Sequence, residues 1–182
     1  MNALVNAIPQ PGSDSEYRVY IACLAAYNNG IYHGAWFDVD EELHENIGKV
    51  LKSSPMDDAE EWAIHDYELP FDISEYENID SLIERVDFIE SLDDLDRAPY
   101  LLYNDHMTDL SGDQITLEQF HDAFMGQAES ELDYIYDYVD ETGMLDNVPD
   151  EVRNYFDYES YARDRFIDDF IFINGYVFKA CC

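Results

Sequence analysis

The sequence predicts an α+β fold divided into three small units. Residues 17–24 and 61–68 alternate polar with apolar side chains, many of them β-branched or aromatic, which is typical of strands. Residues 80–96 instead space their apolar side chains at helical intervals. Near the end of the sequence, Asn174-Gly175 lies between two short apolar runs, which predicts a β-hairpin. We find no internal repeat, so the three blocks are expected to fold differently.

The first predicted unit, residues 17–77, is a small antiparallel sheet with one helix. Its strands are residues 17–24, 31–39 and 61–68, and Asn29-Gly30 is the predicted turn of a hairpin between the first two. Residues 41–52 are the predicted helix, whose apolar side chains are Leu43, Ile47, Val50 and Leu51. Residues 1–16, which contain Pro9, Pro11 and Gly12 in close succession, are expected to form a flexible tail.

The second predicted unit, residues 78–120, is helical. Its first helix spans residues 80–96, and Pro99 is expected to break the helical pattern. A short helix follows at residues 116–125, with the inward-facing side chains Leu117, Phe120 and Phe124.

The third predicted unit, residues 121–182, combines helices with a hairpin and is the expected site of dimerisation. Its first helix, residues 129–141, is expected to bury Leu132, Ile135, Tyr136 and Val139, and Gly143 is its predicted C-cap. Further helices are predicted from about Pro149 and Glu159, followed by a hairpin at residues 170–180.

Charge is the unusual property of this chain. Forty-two Asp and Glu residues oppose nine Lys and Arg residues, for a net charge of −33. The three predicted units carry −11, −9 and −11, so the excess is not confined to an acidic tail. Such a charge repels nucleic acids and anionic membranes and attracts basic surfaces, most of which hold DNA or RNA. On the charge scale of duplex DNA it corresponds to about 56 Å of helix, or about 16 base pairs.

The cysteines and the hydropathy point to a cytoplasmic protein. Three cysteines, Cys23, Cys181 and Cys182, form no disulfide framework, and a reducing compartment is expected. No apolar run reaches the length of a membrane span, and the first residues lack the basic region of a signal peptide.

Motifs for catalysis or metal binding are weak. Residues 107–118 resemble a calcium loop, with Asp109, Ser111, Gly112 and Glu118 at ligand or turn positions, but Met107 occupies the first ligand position. His44-Glu45 lacks the second histidine of a zinc protease motif. We therefore expect no catalytic residues, no metal and no cofactor.

Three further side chains have ordinary structural interpretations. His65 is expected to be a half-buried strand residue and Cys23 a small buried apolar one. With 42 acidic residues, a pair of carboxylates at hydrolase spacing would arise by chance and indicates nothing.

Acidic helix faces are the remaining feature. Like charges four residues apart destabilise a helix slightly, and few lysines relieve them here. From the residues alone, these faces fit an ordinary solvated surface, the surface of a salt-adapted protein, or a partner-binding surface that imitates nucleic acid. The many tyrosines and phenylalanines make salt adaptation the less natural interpretation. The candidate residues for partner binding are Asp38, Asp40, Glu41, Glu42, Glu45, Asp57, Asp58, Glu60, Glu61, Asp80, Glu84, Asp87, Glu90, Asp94, Glu129, Asp133, Asp137 and Asp140.

Three stretches, residues 20–40, 60–79 and 141–164, resemble the ArdA antirestriction proteins. The first contains NNGIYHGAWF, the second AIHDYELPF, and the third ETGMLDNVPDEVRNYFDYESYARD. The resemblance is weaker between residues 80 and 128, and the first residues and the terminal Cys-Cys pair depart from the family pattern.

The resemblance implies a protein of mobile genetic elements that protects incoming DNA from type I restriction-modification enzymes. Members of this family imitate bent duplex DNA, occupy the DNA cleft of the methyltransferase core, are elongated chains of three parts, and form homodimers through the C-terminal part. They are not enzymes, and they bind neither nucleic acid nor membrane. The alternatives are an acidic chaperone for other basic proteins, a calcium-binding module and a carboxylate hydrolase.

Overall fold

A computed structural model describes residues 15–111 and 114–180 of the chain. Helices and two antiparallel sheets confirm the predicted α+β class. The contacts divide the chain into two compact units, one that ends at Asp93 and one that begins at Asp94. We call them the N-terminal and the C-terminal unit. The predicted division into three units stays a prediction.

The N-terminal unit contains a three-stranded antiparallel sheet in the order β2-β1-β3. The strands are β1 (Arg18–Cys23), β2 (Gly34–Asp38) and β3 (Trp62–Glu68), as the alternating pattern predicts. Alternation places Val19, Ile21 and Phe37 on the buried face. The first sheet therefore has one face in the core and a second face that is more exposed.

The connection between β1 and β2 differs from the predicted hairpin. A short helix, α1 (Leu24–Asn28), follows β1, and residues 31–33 lie outside the strand. Asn29 is the C-cap of this helix, and Gly30 has a φ of 73°. The Asn-Gly pair thus ends a helix, because glycine adopts the left-handed conformation that commonly follows a helix C-terminus.

Two amphipathic helices complete the N-terminal unit. Helix α2 (Leu43–Lys52) lies against β1 and β2 and buries Leu43, Ile47 and Val50. Helix α3 (Ile79–Ser91) begins at Asn78, whose side chain accepts a hydrogen bond from the Ser81 N–H. Its buried side chains are Ile79, Leu82, Val86 and Ile89. Both helices therefore keep a polar face opposite the buried one.

The C-terminal unit begins with an unpredicted helix, α4 (Asp94–Ser111), which contains Pro99. The prediction that Pro99 breaks the helix is wrong. Proline removes the bond to the Leu95 carbonyl, but this position is only two residues beyond the first four N–H groups, which lack helical partners in any helix.

A capping box begins the next helix, α5 (Leu117–Ala123). The Thr116 side chain accepts from the Gln119 N–H, and the Gln119 side chain accepts from the Thr116 N–H. Phe120 is fully buried, as predicted. Phe124, predicted to be helical, instead begins β4 (Phe124–Gln127).

Helix α6 (Glu131–Glu141) confirms the predicted helix, with one error of orientation. Ile135 and Val139 are buried, but Tyr136 is 47% exposed and Tyr134 takes its place in the core. The Tyr134 ring lies 5.2 Å from that of Phe170, so the rings of the following elements decide which tyrosine is buried. Gly143, with a φ of 63°, directly follows the C-cap residue Thr142.

The chain closes with α7 (Asp150–Arg153), α8 (Tyr158–Asp168), β5 (Phe170–Ile173) and β6 (Tyr176–Lys179). The last two strands form the predicted hairpin, and both turn residues, Asn174 and Gly175, have positive φ. Strand β6 also pairs with β4, which gives a second sheet in the order β4-β6-β5.

Candidate interaction surface

The predicted acidic candidates lie on the surface. All of them are exposed except Asp38, which is half-buried in β2. Most make no side-chain hydrogen bond or ion pair within residues 15–111 and 114–180: Glu41, Glu42, Asp57, Asp58, Glu60, Glu61, Glu84, Asp87, Glu90, Glu129, Asp137 and Asp140. Their carboxylates are therefore hydrated and open to a partner.

Helix α3 arranges four of these carboxylates in a row. Asp80, Glu84, Asp87 and Glu90 are spaced by four, three and three residues, on the face opposite the buried one. With a rise of about 1.5 Å per residue, successive charges are about 4.5–6 Å apart along the helix axis. One strand of B-DNA carries a phosphate about every 3.4 Å of axis. The row therefore has a linear charge density somewhat below that of one DNA strand.

Helix α6 repeats this arrangement in the C-terminal unit. Asp133, Asp137 and Asp140 have the same spacing of four and three residues as the first three acids of α3. Asp133 also has a local role, since it accepts a 2.5 Å hydrogen bond from the Ser130 hydroxyl at the start of the helix. The two units thus each carry one acidic row on a helix of different sequence.

A second group of acids surrounds the start of α2. His44 lies 2.8 Å from Asp80, which brings the first turn of α2 beside the first turn of α3. Asp40 accepts from the Glu42 N–H and forms the turn before α2. Glu45 is partly neutralised by Lys49, four residues later and 3.0 Å away. Glu41 and Glu42 in the same turn remain hydrated.

The basic residues are mostly engaged by neighbouring groups. Arg163 and Arg165 lie 3.3 and 2.7 Å from carboxylate oxygens of Asp164 and Asp169. Arg165 also lies 4.9 Å from the centre of the Phe170 ring. Further cations with partners close by are Arg18 on Glu68, Lys49 on Glu45, Arg97 on Asp94 and Arg85 over the Phe71 ring. These contacts reduce the positive charge that competes with the acidic surface.

Possible metal ligands among the described residues are dispersed. Among the described residues, no three His, Cys, Asp or Glu side chains come together in a way that could hold a metal ion. The first positions of the calcium-loop candidate belong to the end of α4, while Gly112 and the side chains of Asp109 and Ser111 lie outside the described residues. The same holds for Cys181 and Cys182.

His65 and Cys23 pack against neighbouring side chains of the N-terminal unit. His65 is the bulged residue of β3, because Tyr20 pairs with Asp66 and Ile21 with Ile64. Its imidazole is 22% exposed and packs edge-on against Tyr27, although the residue as a whole is exposed. Cys23 is fully buried, as predicted, with its Sγ 3.4 Å from the Ser54 hydroxyl.

Several groups in the described part of the chain have shifted pKa values, each with a local cause. Backbone and hydroxyl hydrogen bonds from Ser160 lower the pKa of Asp157, which caps α8. The hydrogen bond to Asp72 raises the pKa of Tyr67, and burial raises the pKa of Tyr134 and Tyr161. None of these four groups is an acidic candidate for partner binding.

Several exposed acids were not among the predicted candidates. Asp66 and Glu68 lie on β3 beside Tyr20 and Arg18 of β1, and strand alternation could have placed them on the exposed face. Helix α8 and its surroundings add Glu159, Asp164 and Asp168. The acidic surface is therefore larger than the prediction.

Within residues 15–111 and 114–180, no helix has both the length and the apolar character that a bilayer span requires. A comparison with curated proteins finds no match.

A family model described as antirestriction protein (ArdA) matches residues 19–178, which is most of the chain. The match includes the row of acids on α3 and the row on α6. It also includes β1 except Arg18 and the C-terminal hairpin except Lys179. It confirms the resemblance carried by the three sequence stretches. The chain belongs to the ArdA family of antirestriction proteins.

Proposed function

We propose that this protein inhibits type I restriction-modification enzymes by occupying their DNA-binding cleft as a mimic of duplex DNA. The observation that carries the proposal is the pair of acidic rows on α3 and α6, with charges about 4.5–6 Å apart along each helix. Each row presents carboxylates where a DNA strand would present phosphates.

The mechanism follows from what phosphates do in protein–DNA complexes. Phosphate contacts position an enzyme on DNA and carry no direct sequence information. A mimic of the phosphates can therefore compete at enzymes that recognise different sequences. Opposite charge on the two surfaces speeds their encounter and makes the affinity fall as salt rises.

The proposed partner is the methyltransferase core, and the proposed active form is a homodimer in the cytoplasm. Large apolar side chains in residues 121–182 are exposed and available for the proposed pairing: Met125, Tyr136, Met144, Val152, Tyr155 and Ile167. A dimer would carry twice −33, which matches the charge of about 110 Å of duplex DNA. The protein would act for a mobile element, protecting its DNA on entry, without chemistry of its own.

The test is competition for a purified type I methyltransferase bound to a labelled duplex that contains its site. The protein is titrated at two salt concentrations. We expect stoichiometric displacement of the duplex, with an affinity that decreases as salt increases. A folded, dimeric protein that displaces no duplex at low salt would contradict the proposal.

A control separates this function from that of an acidic chaperone. A competing basic protein, such as a histone, is added to the same titration. A DNA mimic should retain displacement when the histone concentration equals that of the enzyme, whereas an acidic chaperone would bind any basic protein. Equal partition between the two would favour the chaperone.

A further inference from the structure

The exposed face of the first sheet carries an unusual set of side chains. Directly opposite residues on neighbouring strands share a face, and here they form two rows. One row reads Trp36, Tyr20, Asp66, and the other Asp38, Arg18, Glu68. We call these six residues the outer face. Four are half-buried, and Asp66 and Glu68 are exposed.

Two aromatic rings form the centre of the outer face. Tyr20 and Trp36 are cross-strand partners whose ring centroids are 5.7 Å apart in an edge-to-face arrangement. The Tyr20 ring also covers Gly34, since a Cβ on that residue would lie only 2.9 Å from ring atoms. A side chain at this position would meet both the ring and the Ile21 carbonyl oxygen, so glycine leaves room for the tyrosine. The result is a fixed aromatic platform on the surface.

The second row shows which ligand the outer face accepts. The Arg18 guanidinium lies 5.3 Å from the centre of the Trp36 ring, and its Nε lies 3.2 Å from Glu68. Yet the buried Arg18 Nε and Asp38 Oδ1 form no hydrogen bond within the described part of the chain. A guanidinium is thus held here by an aromatic ring and one carboxylate, although not all its hydrogen-bonding capacity is used.

The charge of the outer face selects the partner. Three carboxylates, those of Asp38, Asp66 and Glu68, surround the two rings against one arginine. Stacking of nucleic-acid bases on the rings would bring phosphates close to these carboxylates, which repel them. Arginine and lysine side chains instead gain from both the ring faces and the carboxylates. Tryptophan and tyrosine are also among the residues that most often dominate protein–protein binding energy.

We propose that the outer face docks an arginine- or lysine-bearing segment of the enzyme that this protein inhibits, with cationic side chains received by Trp36, Tyr20 and the flanking carboxylates. The proposal rests on the proposed function and adds a contact that DNA itself does not make. The acidic rows attract the enzyme over a distance, whereas the outer face holds it through short-range contact with the rings.

The experiment uses the full chain with the substitution Trp36→Leu in the displacement titration. We expect roughly tenfold weaker binding at every salt concentration, because a large aromatic contact is lost. The slope of affinity against salt should stay the same, because no charge changes. The control is Tyr32→Leu, which removes a 92% exposed ring outside the outer face and should leave affinity within about twofold. Thermal melting verifies that both variants are folded.

A second pair of variants decides the matter if Trp36→Leu does not fold. The double change Asp66→Asn/Glu68→Gln removes two charges from the outer face, and Asp150→Asn/Glu151→Gln removes two exposed charges from α7. We expect the first double variant to lose at least threefold more affinity than the second. Equal losses in the two double variants, or wild-type affinity in folded Trp36→Leu, would overturn the inference. If the wild-type chain displaces no duplex, the proposed function itself fails.

Discussion

The two units of this protein reach nearly the same charge with different architectures. The chain through Asp93 and the chain from Asp94 each contain 21 acidic residues, for net charges of −17 and −16. The N-terminal unit packs α2 against a sheet in the order β2-β1-β3. In the C-terminal unit, the final hairpin pairs with β4, and α6 packs against α8. High acidity is therefore a property of exposed positions and does not require a particular fold.

The units differ in how many of their aromatic rings belong to the core. Among the described residues, the N-terminal unit buries Tyr17 and Phe37, and the C-terminal unit buries Tyr100, Tyr103, Phe120, Tyr134, Phe170 and Phe178. In the N-terminal unit, Tyr20 and Trp36 lie on the outer face. In the C-terminal unit, the rings of Tyr134, Phe166 and Phe170 pack against one another, and Tyr134 and Phe170 belong to the core. Repulsion between carboxylates opposes folding in both units. The aromatic core of the second unit offsets that repulsion, while the rings of the first are partly available for binding.

The largest expected effect comes from opening a cavity in the C-terminal unit. Phe178 is fully buried and stacks 4.5 Å from Tyr103, so Phe178→Ala should destabilise that unit by about 3–5 kcal/mol. Denaturation by urea is followed by circular dichroism and by tryptophan fluorescence. Both tryptophans, Trp36 and Trp62, belong to the N-terminal unit. We expect the dichroism transition to move to lower urea while the fluorescence transition stays near that of the wild type.

The matched control is Ile21→Ala in β1, where Ile21 is fully buried. It should lower the free energy of unfolding of the N-terminal unit by about 2–5 kcal/mol and move the fluorescence transition to lower urea. If both probes moved together in both variants, the two units would unfold as one, which would contradict the expectation that each unit has its own stability.

A smaller effect is expected from neutralising one acidic row at a time. The triple variant Glu84→Gln/Asp87→Asn/Glu90→Gln changes α3, and Asp137→Asn/Asp140→Asn/Glu141→Gln changes α6. Each should weaken binding to the type I methyltransferase by about tenfold and flatten its salt dependence, because three charges are removed. Competition at three salt concentrations measures both quantities. Wild-type behaviour of either variant would show that its row does not face the enzyme.

The smallest expected effect concerns the cap of α8. Hydrogen bonds from Ser160 lower the folded-state pKa of Asp157 below its usual 3.8, so the ionised form stabilises the folded chain. This contribution is complete above the unfolded pKa and disappears as pH falls through the folded one. Asp157→Asn keeps a capping side chain but does not titrate. The melting temperatures of wild type and variant should therefore differ at pH 6 and converge as the pH falls through the lowered folded-state pKa of Asp157. A constant difference would contradict the assignment.

Much of the local structure could be predicted from the chain itself. Alternation identified β1 and β3, helical spacing identified α2, α3 and α6, and Asn174-Gly175 identified the final hairpin. These signals are short-range, so no knowledge of distant residues is needed. The exposure of the predicted acids follows for the same reason, since an unpaired carboxylate is costly to bury.

The errors arose where distant groups decide the outcome. Asn29-Gly30 has the sequence of a hairpin turn. However, the pairing of β1 with β2 ends at Ala22 and Gly34, and the residues between these two include α1. Pro99 is a local signal against a helix, but the buried contacts of Tyr100 and Tyr103 hold α4 together around it. The choice of Tyr134 over Tyr136 depends on rings that lie about 30 residues later in the chain.

The sequence by itself determined the family, the α+β class, the acidity and the spacing of charges along each helix, because motifs and helical periodicity are written in consecutive residues. Only the tertiary structure decided that Trp36, Tyr20 and the acids of β3 share one face, and that α2 and α3 meet at His44 and Asp80. Those associations depend on strand register and helix docking. Both result from the joint burial of residues far apart in the chain, which no local pattern specifies.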